Sequence, residues 1–210
     1  MTHSATVPDT LMTLDDATRR LVRLSAAVTA GTEARQRSEI AESLGAVPHA
    51  WVEELLLQSY LFAGFPRALN AMREWRRVAP EPSAPGAAAP PAQWRADGER
   101  TCAVVYGRFY DRLRENIRHL HPALDDWMIV EGYGKVLSRP GLDLGRRELC
   151  IVAACAAAGQ DRQLHSHLHG ALNAGVAAGA VSEAIEALAG VVPTELLETA
   201  RLLWARVRGK

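Results

Sequence analysis

Hydrophobic residues recur at intervals of three and four along almost the whole chain, which is the spacing of one face of an α-helix. A clear example is formed by Trp51, Val52 and Leu55, which follow a proline suited to the first turn of a helix. No segment shows the sustained alternation of hydrophobic and polar positions that is typical of a half-buried strand. The pattern therefore predicts an all-α protein.

Capping residues and helix breakers divide this pattern into successive helices. We expect the first helix to be capped by Asp9 or Thr10 and to end near Gly31. Further helices are predicted over 32–44 and 48–63, from 66 onwards, over 94–120 with a break at Gly107, and over 122–137, 143–159, 161–174, 182–188 and 194–207.

Residues 79–93 interrupt the helical pattern with five prolines among alanine, glycine and serine. Such a composition cannot support a core and gives a semi-rigid, extended spacer. We therefore divide the chain into an N-terminal helical part (1–78), this linker, and a C-terminal helical part (94–210). We expect the two parts to share one core.

Composition and charge narrow the classes of function. The chain has 24 basic and 24 acidic residues, so no global positive field favours a nucleic acid, and we expect no nucleic-acid partner. The longest apolar stretch, 149–159, is too short to span a bilayer, so we expect no membrane association. The N-terminal residues have neither the basic nor the apolar region of a secretory signal, and we predict a cytoplasmic protein.

The three cysteines, Cys102, Cys150 and Cys155, are odd in number and form no Cys-x-x-Cys pair. A disulfide framework is therefore not expected, which fits a reducing compartment. We interpret these cysteines as small buried residues of the core.

Glu148 lies in an otherwise apolar row of the predicted helix 143–159. A buried charge without a partner is costly, so Glu148 needs either a partner or a proton. His167, at the edge of the apolar face of the next helix, is the candidate partner. A glutamate and a histidine on adjacent antiparallel helices can form an acid–base pair, and a purely structural buried pair fits the same pattern.

His165, His167 and His169 also invite interpretation as a metal site. Only His165 and His169, at i and i+4, share a helix face, and no glutamate stands between them in the zincin position. We therefore favour solvated or interface histidines, and we predict neither a metal ion nor a cofactor.

Several spaced motifs resemble the carboxymuconolactone decarboxylase family. Residues 133–142 read YGKVLSRPGL, and Arg147-Glu148-Leu149 follows. From His167 the chain then fits the pattern H-x-x-x-A-x-x-x-G. The resemblance covers about 127–188. It implies an alkylhydroperoxidase D-like helical bundle that forms a homo-oligomer, often a trimer or hexamer, with sites near the subunit interfaces.

A second block, 55–71, contains the sequence FAGFPRA and is similar to the Y-x-G-x-P-x-A segment that follows the histidine helix in this family. Here the block lies far upstream of that helix. The motifs therefore look permuted, or the chain consists of two family half-units with different losses. Phe62 stands where the family often has tyrosine, so a hydroxyl is missing at this position.

The alkylhydroperoxidase D-like branch of the family carries a Cys-x-x-Cys pair between the glutamate and the histidine of a proton relay. In this chain Glu148 and His167 match the glutamate and histidine, but Gln160 and Gln163 stand at the cysteine positions. Because the thiolate is the reactive species in that chemistry, the resemblance favours the decarboxylase-like branch.

The resulting hypothesis is a cofactor-free decarboxylase, a lyase acting on a small carboxylated lactone or keto acid. His167 would donate the proton that quenches the enolate, and Glu148 would orient this histidine. Arg139 or Arg147 would hold the substrate carboxylate. Two alternatives stay open: a non-catalytic helical oligomer that binds a small ligand or a partner protein, and, with weaker support, redox activity through Cys150 or Cys155.

Overall fold

The computed structural model describes residues 11–83 and 89–209, and within these ranges the regular structure is helical, as predicted. One isolated parallel bridge joins Leu11 to Val176. No helix in the described ranges is long and apolar enough to cross a bilayer.

The helices follow one another in the order that the hydrophobic pattern predicts. The N-terminal part forms α1 (Asp16–Ala30), α2 (Glu33–Ser43), α3 (His49–Gln58), α4 (Tyr60–Ala63) and α5 (Phe65–Val78). After the linker come α6 (Pro91–Tyr106), a 3₁₀ turn (Gly107–Phe109), α7 (Tyr110–Leu120), α8 (Pro122–Trp127) and a π-helical segment (Met128–Leu137). The chain then forms α9 (Leu144–Ala157), α10 (Asp161–Asn173), α11 (Ala178–Glu186) and α12 (Thr194–Arg208).

The largest differences from the predicted boundaries lie at helix starts. The first helix begins later than expected, because the side chain of Asp15 accepts a hydrogen bond from the backbone N–H of Thr18 and caps α1 there. The predicted caps Asp9 and Thr10 lie outside the described residues. Helix α6 begins within the predicted linker, since Pro91 has the fixed φ that suits a first helical turn.

Helix α1 is buried on two sides and contributes to two clusters of core residues. Val22 and Ala26 pack with side chains of the C-terminal part, whereas Leu21 and Leu24 pack with α2, α3 and α5. The hydroxyl of Ser25 donates a hydrogen bond of 2.7 Å to the backbone carbonyl of a residue in α9. The two helical parts are therefore packed together through α1 and α9.

Two glycines allow α6 and the π-helical segment to cross at very short range. A Cβ atom at Gly98 would lie 2.0 Å from the carbonyl oxygen of Ile129, and one at Gly134 would lie 1.9 Å from that of Trp94. Only residues without a Cβ atom fit this crossing. It sets the position of Tyr133, which is buried in the π-helical segment beside Gly134.

Candidate functional site

The site is built between α9 and α10, which are joined by a short turn. Asp143 caps α9 by accepting a hydrogen bond of 3.0 Å from the backbone N–H of Arg146. Gly159, with a φ of 64°, follows the end of α9 in a conformation that suits glycine. On α10, a Cβ atom at Gly170 would lie 2.5 Å from Oε2 of Glu148. Glycine at this position therefore leaves the space that the Glu148 carboxylate occupies.

Glu148 and His167 are in direct contact, as expected from their positions on the two helices. Nδ1 of His167 lies 2.8 Å from Oε2 of Glu148, and both side chains are buried. The second carboxylate oxygen, Oε1, is buried and has no hydrogen-bond partner within the described ranges. Such an atom is costly to leave unpaired, so Oε1 is available to a donor that enters the site.

Aromatic rings from two separate elements flank the imidazole of His167. The ring of Phe62, from α4 in the N-terminal part, meets it edge-on with the centroids 6.0 Å apart. The ring of Tyr106, at the end of α6, lies 6.4 Å away at a steep angle. The block 55–71 therefore reaches the histidine although it lies far upstream in the sequence.

Tyr106 has a second tyrosine as its neighbour. The rings of Tyr106 and Tyr133 are 6.3 Å apart, and a side-chain hydrogen bond between the two phenols contributes to the pKa of each. Burial raises the pKa of Tyr106 to about 12 and raises the pKa of Tyr133 well above its usual value. Both phenols consequently keep their protons at neutral pH.

The two candidate substrate-binding arginines converge on a carboxylate that the sequence did not single out, Glu54 of α3. Arg147 is fully buried, and its guanidinium lies 2.9 Å from Oε2 of Glu54 and 3.0 Å from the side-chain oxygen of Gln58. Arg139 lies 2.8 Å from Oε1 of the same glutamate. Glu54 therefore forms ion pairs with both arginines, which leaves the three side chains with one net positive charge, and it joins α3 to the start of α9.

Arg139 also lines a surface pocket of about 420 Å³, together with Thr101 and Ser138. The hydroxyls of those two residues are 2.7 Å apart. The lining of this pocket includes neither Glu148 nor His167. The structure thus joins the predicted glutamate and histidine, while the arginines belong to a neighbouring ion-pair network.

All three cysteines are buried, and their environments disfavour the thiolate. Burial raises the pKa of Cys102, Cys150 and Cys155 to about 12 in each case. The charge of Glu148 contributes to the raised pKa of Cys155 and, against the opposite effect of Arg114, to that of Cys102. Redox chemistry needs the ionised form, so these thiols are poorly suited to it.

The remaining histidines of α10 form a contact of their own. The rings of His165 and His169 are 5.0 Å apart. The part of the chain that the structure describes contains no group of three or more histidine, cysteine, aspartate or glutamate residues placed to hold a metal ion.

Comparisons with known proteins agree with the motifs in the C-terminal part. Residues 122–206 match the sequence model of the carboxymuconolactone decarboxylase family. This segment includes α9 and α10, and it extends beyond the 127–188 of the initial resemblance. The block 55–71 lies outside it.

One curated relative is Peroxisomal protein 2 of Schizosaccharomyces pombe, which is 30% identical over 142 residues. The alignment covers 65% of this chain and 66% of the relative, just under two thirds of the latter's length.

Proposed function

Because residues 122–206 belong to the carboxymuconolactone decarboxylase family, we propose that the protein is a cofactor-free decarboxylase of a small carboxylated lactone or keto acid. Glu148 and His167 form its acid–base pair. The observation that carries this proposal is the buried 2.8 Å contact between His167 Nδ1 and Glu148 Oε2, on two helices within the family segment. Acid–base groups held together away from water are typical of catalytic sites.

The pair provides the proton that a decarboxylation requires. When the bond to the carboxylate carbon breaks, carbon dioxide leaves and the electron pair moves into the adjacent carbonyl as an enolate. His167, as an imidazolium, then transfers the proton on Nε2 to the carbon. Glu148 holds Nδ1–H, orients the ring and stabilises its positive charge, as carboxylates do in comparable acid–base pairs. The neutral histidine recovers its proton from solvent.

The two arginines would contribute differently. Arg147 is fully buried and bonded to Glu54 and Gln58, which supports a structural role for it. Arg139 is the better candidate for holding a substrate carboxylate, because 19% of its side chain is exposed and it lines the neighbouring pocket.

The proposal includes self-association and a cytoplasmic location. Exposed apolar side chains on α7 and α8, among them Leu120, Leu124 and Trp127, supply a surface suited to a homo-oligomer such as a trimer or hexamer. Sedimentation of the purified protein would determine the oligomer. The fungal relative is named as peroxisomal, so fractionation of cells that express the tagged chain would test the location.

The decisive experiment measures carbon dioxide release from a panel of β-keto and lactone acids. We expect His167→Gln and Glu148→Gln to lower kcat by roughly 100-fold or more, the usual scale for loss of an acid–base group. His165→Gln, on the same helix, is the matched control and should retain activity. Undiminished turnover in folded His167→Gln protein would refute the proposed role.

A second candidate function is ligand binding without turnover. It is favoured by the covered position of His167, which is buried between α9, Phe62 and Tyr106. If the wild-type protein releases no carbon dioxide from any acid, but one of them raises Tm in a saturable manner, this function replaces the first.

A further inference from the structure

The aromatic walls of the site differ in one chemical respect. Phe62 and Tyr106 both present their rings to the imidazole of His167, at 6.0 and 6.4 Å. Only Tyr106 brings a hydroxyl. The phenol beside this histidine therefore comes from the end of α6.

We infer that Tyr106 is a further catalytic residue, whose hydroxyl donates a hydrogen bond to the substrate oxygen on which negative charge develops during the reaction. This inference rests on the proposed function of the Glu148–His167 pair. In this arrangement the substrate turns a carbonyl or carboxylate oxygen toward α6 and its reacting carbon toward His167. Tyr133 is a positioning residue that acts through Tyr106.

The contact between the two tyrosines can leave the proton of Tyr106 available. Two hydroxyls share one proton in a hydrogen bond, and in the arrangement that this inference requires Tyr133 donates, so the O–H of Tyr106 points to the substrate. Accepting one hydrogen bond also strengthens the next bond that a hydroxyl donates. A pKa of about 12 keeps this phenol protonated at neutral pH, so that it acts as a donor and not as a base.

The end of α6 is held against α10, which fixes Tyr106 beside the histidine. The side-chain amide of Asn173 donates a hydrogen bond of 2.8 Å to the carbonyl oxygen of Val105, the residue before Tyr106. Gly107 ends the helix at this point with a φ of 50°, a conformation that suits glycine. The phenol is therefore placed by backbone contacts as well as by packing.

Kinetics of tyrosine variants test the inference if the wild type is active. We expect Tyr106→Phe to lower kcat by roughly 100-fold with little change in KM, as removal of one donor to a developing oxyanion does. Tyr133→Phe should lower kcat several-fold, and should have no further effect in a Tyr106→Phe background. Tyr110→Phe, whose hydroxyl bonds to Arg114 on α7, is the matched control.

A binding measurement separates this inference from the proposed function. Oxalate, a planar dianion resembling the enolate that a keto acid with two carboxylates forms on losing carbon dioxide, serves as the probe in calorimetric titrations. We expect Tyr106→Phe to raise its Kd about tenfold, and Tyr110→Phe to leave the Kd unchanged.

If kcat and the oxalate Kd of Tyr106→Phe stay within twofold of wild type while His167→Gln is inactive, the inference is wrong and the decarboxylase proposal stands. If the wild type lacks turnover, the catalytic role of Tyr106 is wrong together with the proposed function, and a tenfold rise in the oxalate Kd of Tyr106→Phe would show a role in anion binding instead. With an active wild type, an unchanged oxalate Kd together with an unchanged kcat overturns the inference.

Discussion

Arg147 and Glu148 are neighbours in the sequence, yet their side chains connect α9 to different helices. Arg147 binds Glu54 and Gln58 on α3, and Glu148 binds His167 on α10. One turn of α9 thus carries an ion pair that joins the two parts of the chain and, beside it, the candidate acid–base pair. Substitutions at the two positions should therefore separate stability from activity.

For Arg147→Met we expect a loss of about 3–5 kcal/mol in the free energy of unfolding, because Glu54 loses its fully buried cation and the oxygens of Gln58 and Leu142 lose their buried donor. Arg139→Met should cost less, since Arg139 is partly exposed and Glu54 keeps Arg147. Urea denaturation followed by circular dichroism measures both. Equal losses of unfolding free energy for the two variants would show that Arg147 stabilises the fold no more than Arg139 does.

Glu148→Gln should affect activity far more than stability. The amide keeps the volume of the carboxylate and removes a buried charge whose Oε1 atom has no partner among the described residues, so we expect Tm to change by only a few degrees. Turnover should fall strongly, because a neutral amide does not stabilise an imidazolium. A Tm loss as large as that of Arg147→Met would identify the Glu148–His167 contact as mainly structural.

Gly134→Ala should disrupt the crossing of α6 and the π-helical segment. Its new methyl group would meet the carbonyl oxygen of Trp94, and overpacking of this kind costs typically about 1–3 kcal/mol. Gly132→Ala, two residues earlier, is the matched control, since a Cβ atom there has nothing within 4 Å. It should be neutral or stabilising by up to about 1 kcal/mol. Similar denaturation midpoints for the two variants would contradict the tight crossing.

The buried thiols predict a loss of stability at alkaline pH. Burial raises the pKa of Cys102, Cys150 and Cys155 to about 12 in the folded chain, whereas the pKa of a thiol in the unfolded chain is about 8.5. Above that pH the unfolded state binds fewer protons than the folded state, so the free energy of unfolding falls as pH rises toward 12.

Urea denaturation between pH 8 and about 11 measures this dependence. Serine at all three positions should flatten it. In native protein at pH 8, a thiol reagent should react only at the rate of unfolding. Rapid labelling of one cysteine would contradict the buried environment and would revive the redox hypothesis.

Contacts between neighbouring helices could be predicted from the sequence, because spacing along each helix determines which residues share a face. Glu148 and His167 were placed together on that basis. The positions of Tyr106 and Glu54 could not be predicted in this way, since each depends on how distant helices cross. Tyr133 lies in a π-helical segment, where the spacing departs from 3.6 residues per turn, so its face was not predictable either.

The contact between Phe62 and His167 shows that two distant regions of the sequence contribute to the site. The segment that matches the family model, 122–206, supplies the candidate acid–base pair, but one of the rings beside its histidine comes from the opposite side of the proline-rich linker. A fragment limited to residues 122–206 would keep Glu148 and His167 but would lose the rings of Phe62 and Tyr106, so His167 would be more exposed to water. Both parts of the chain thus contribute to the surroundings of the same imidazole, and a substitution in either part can change them.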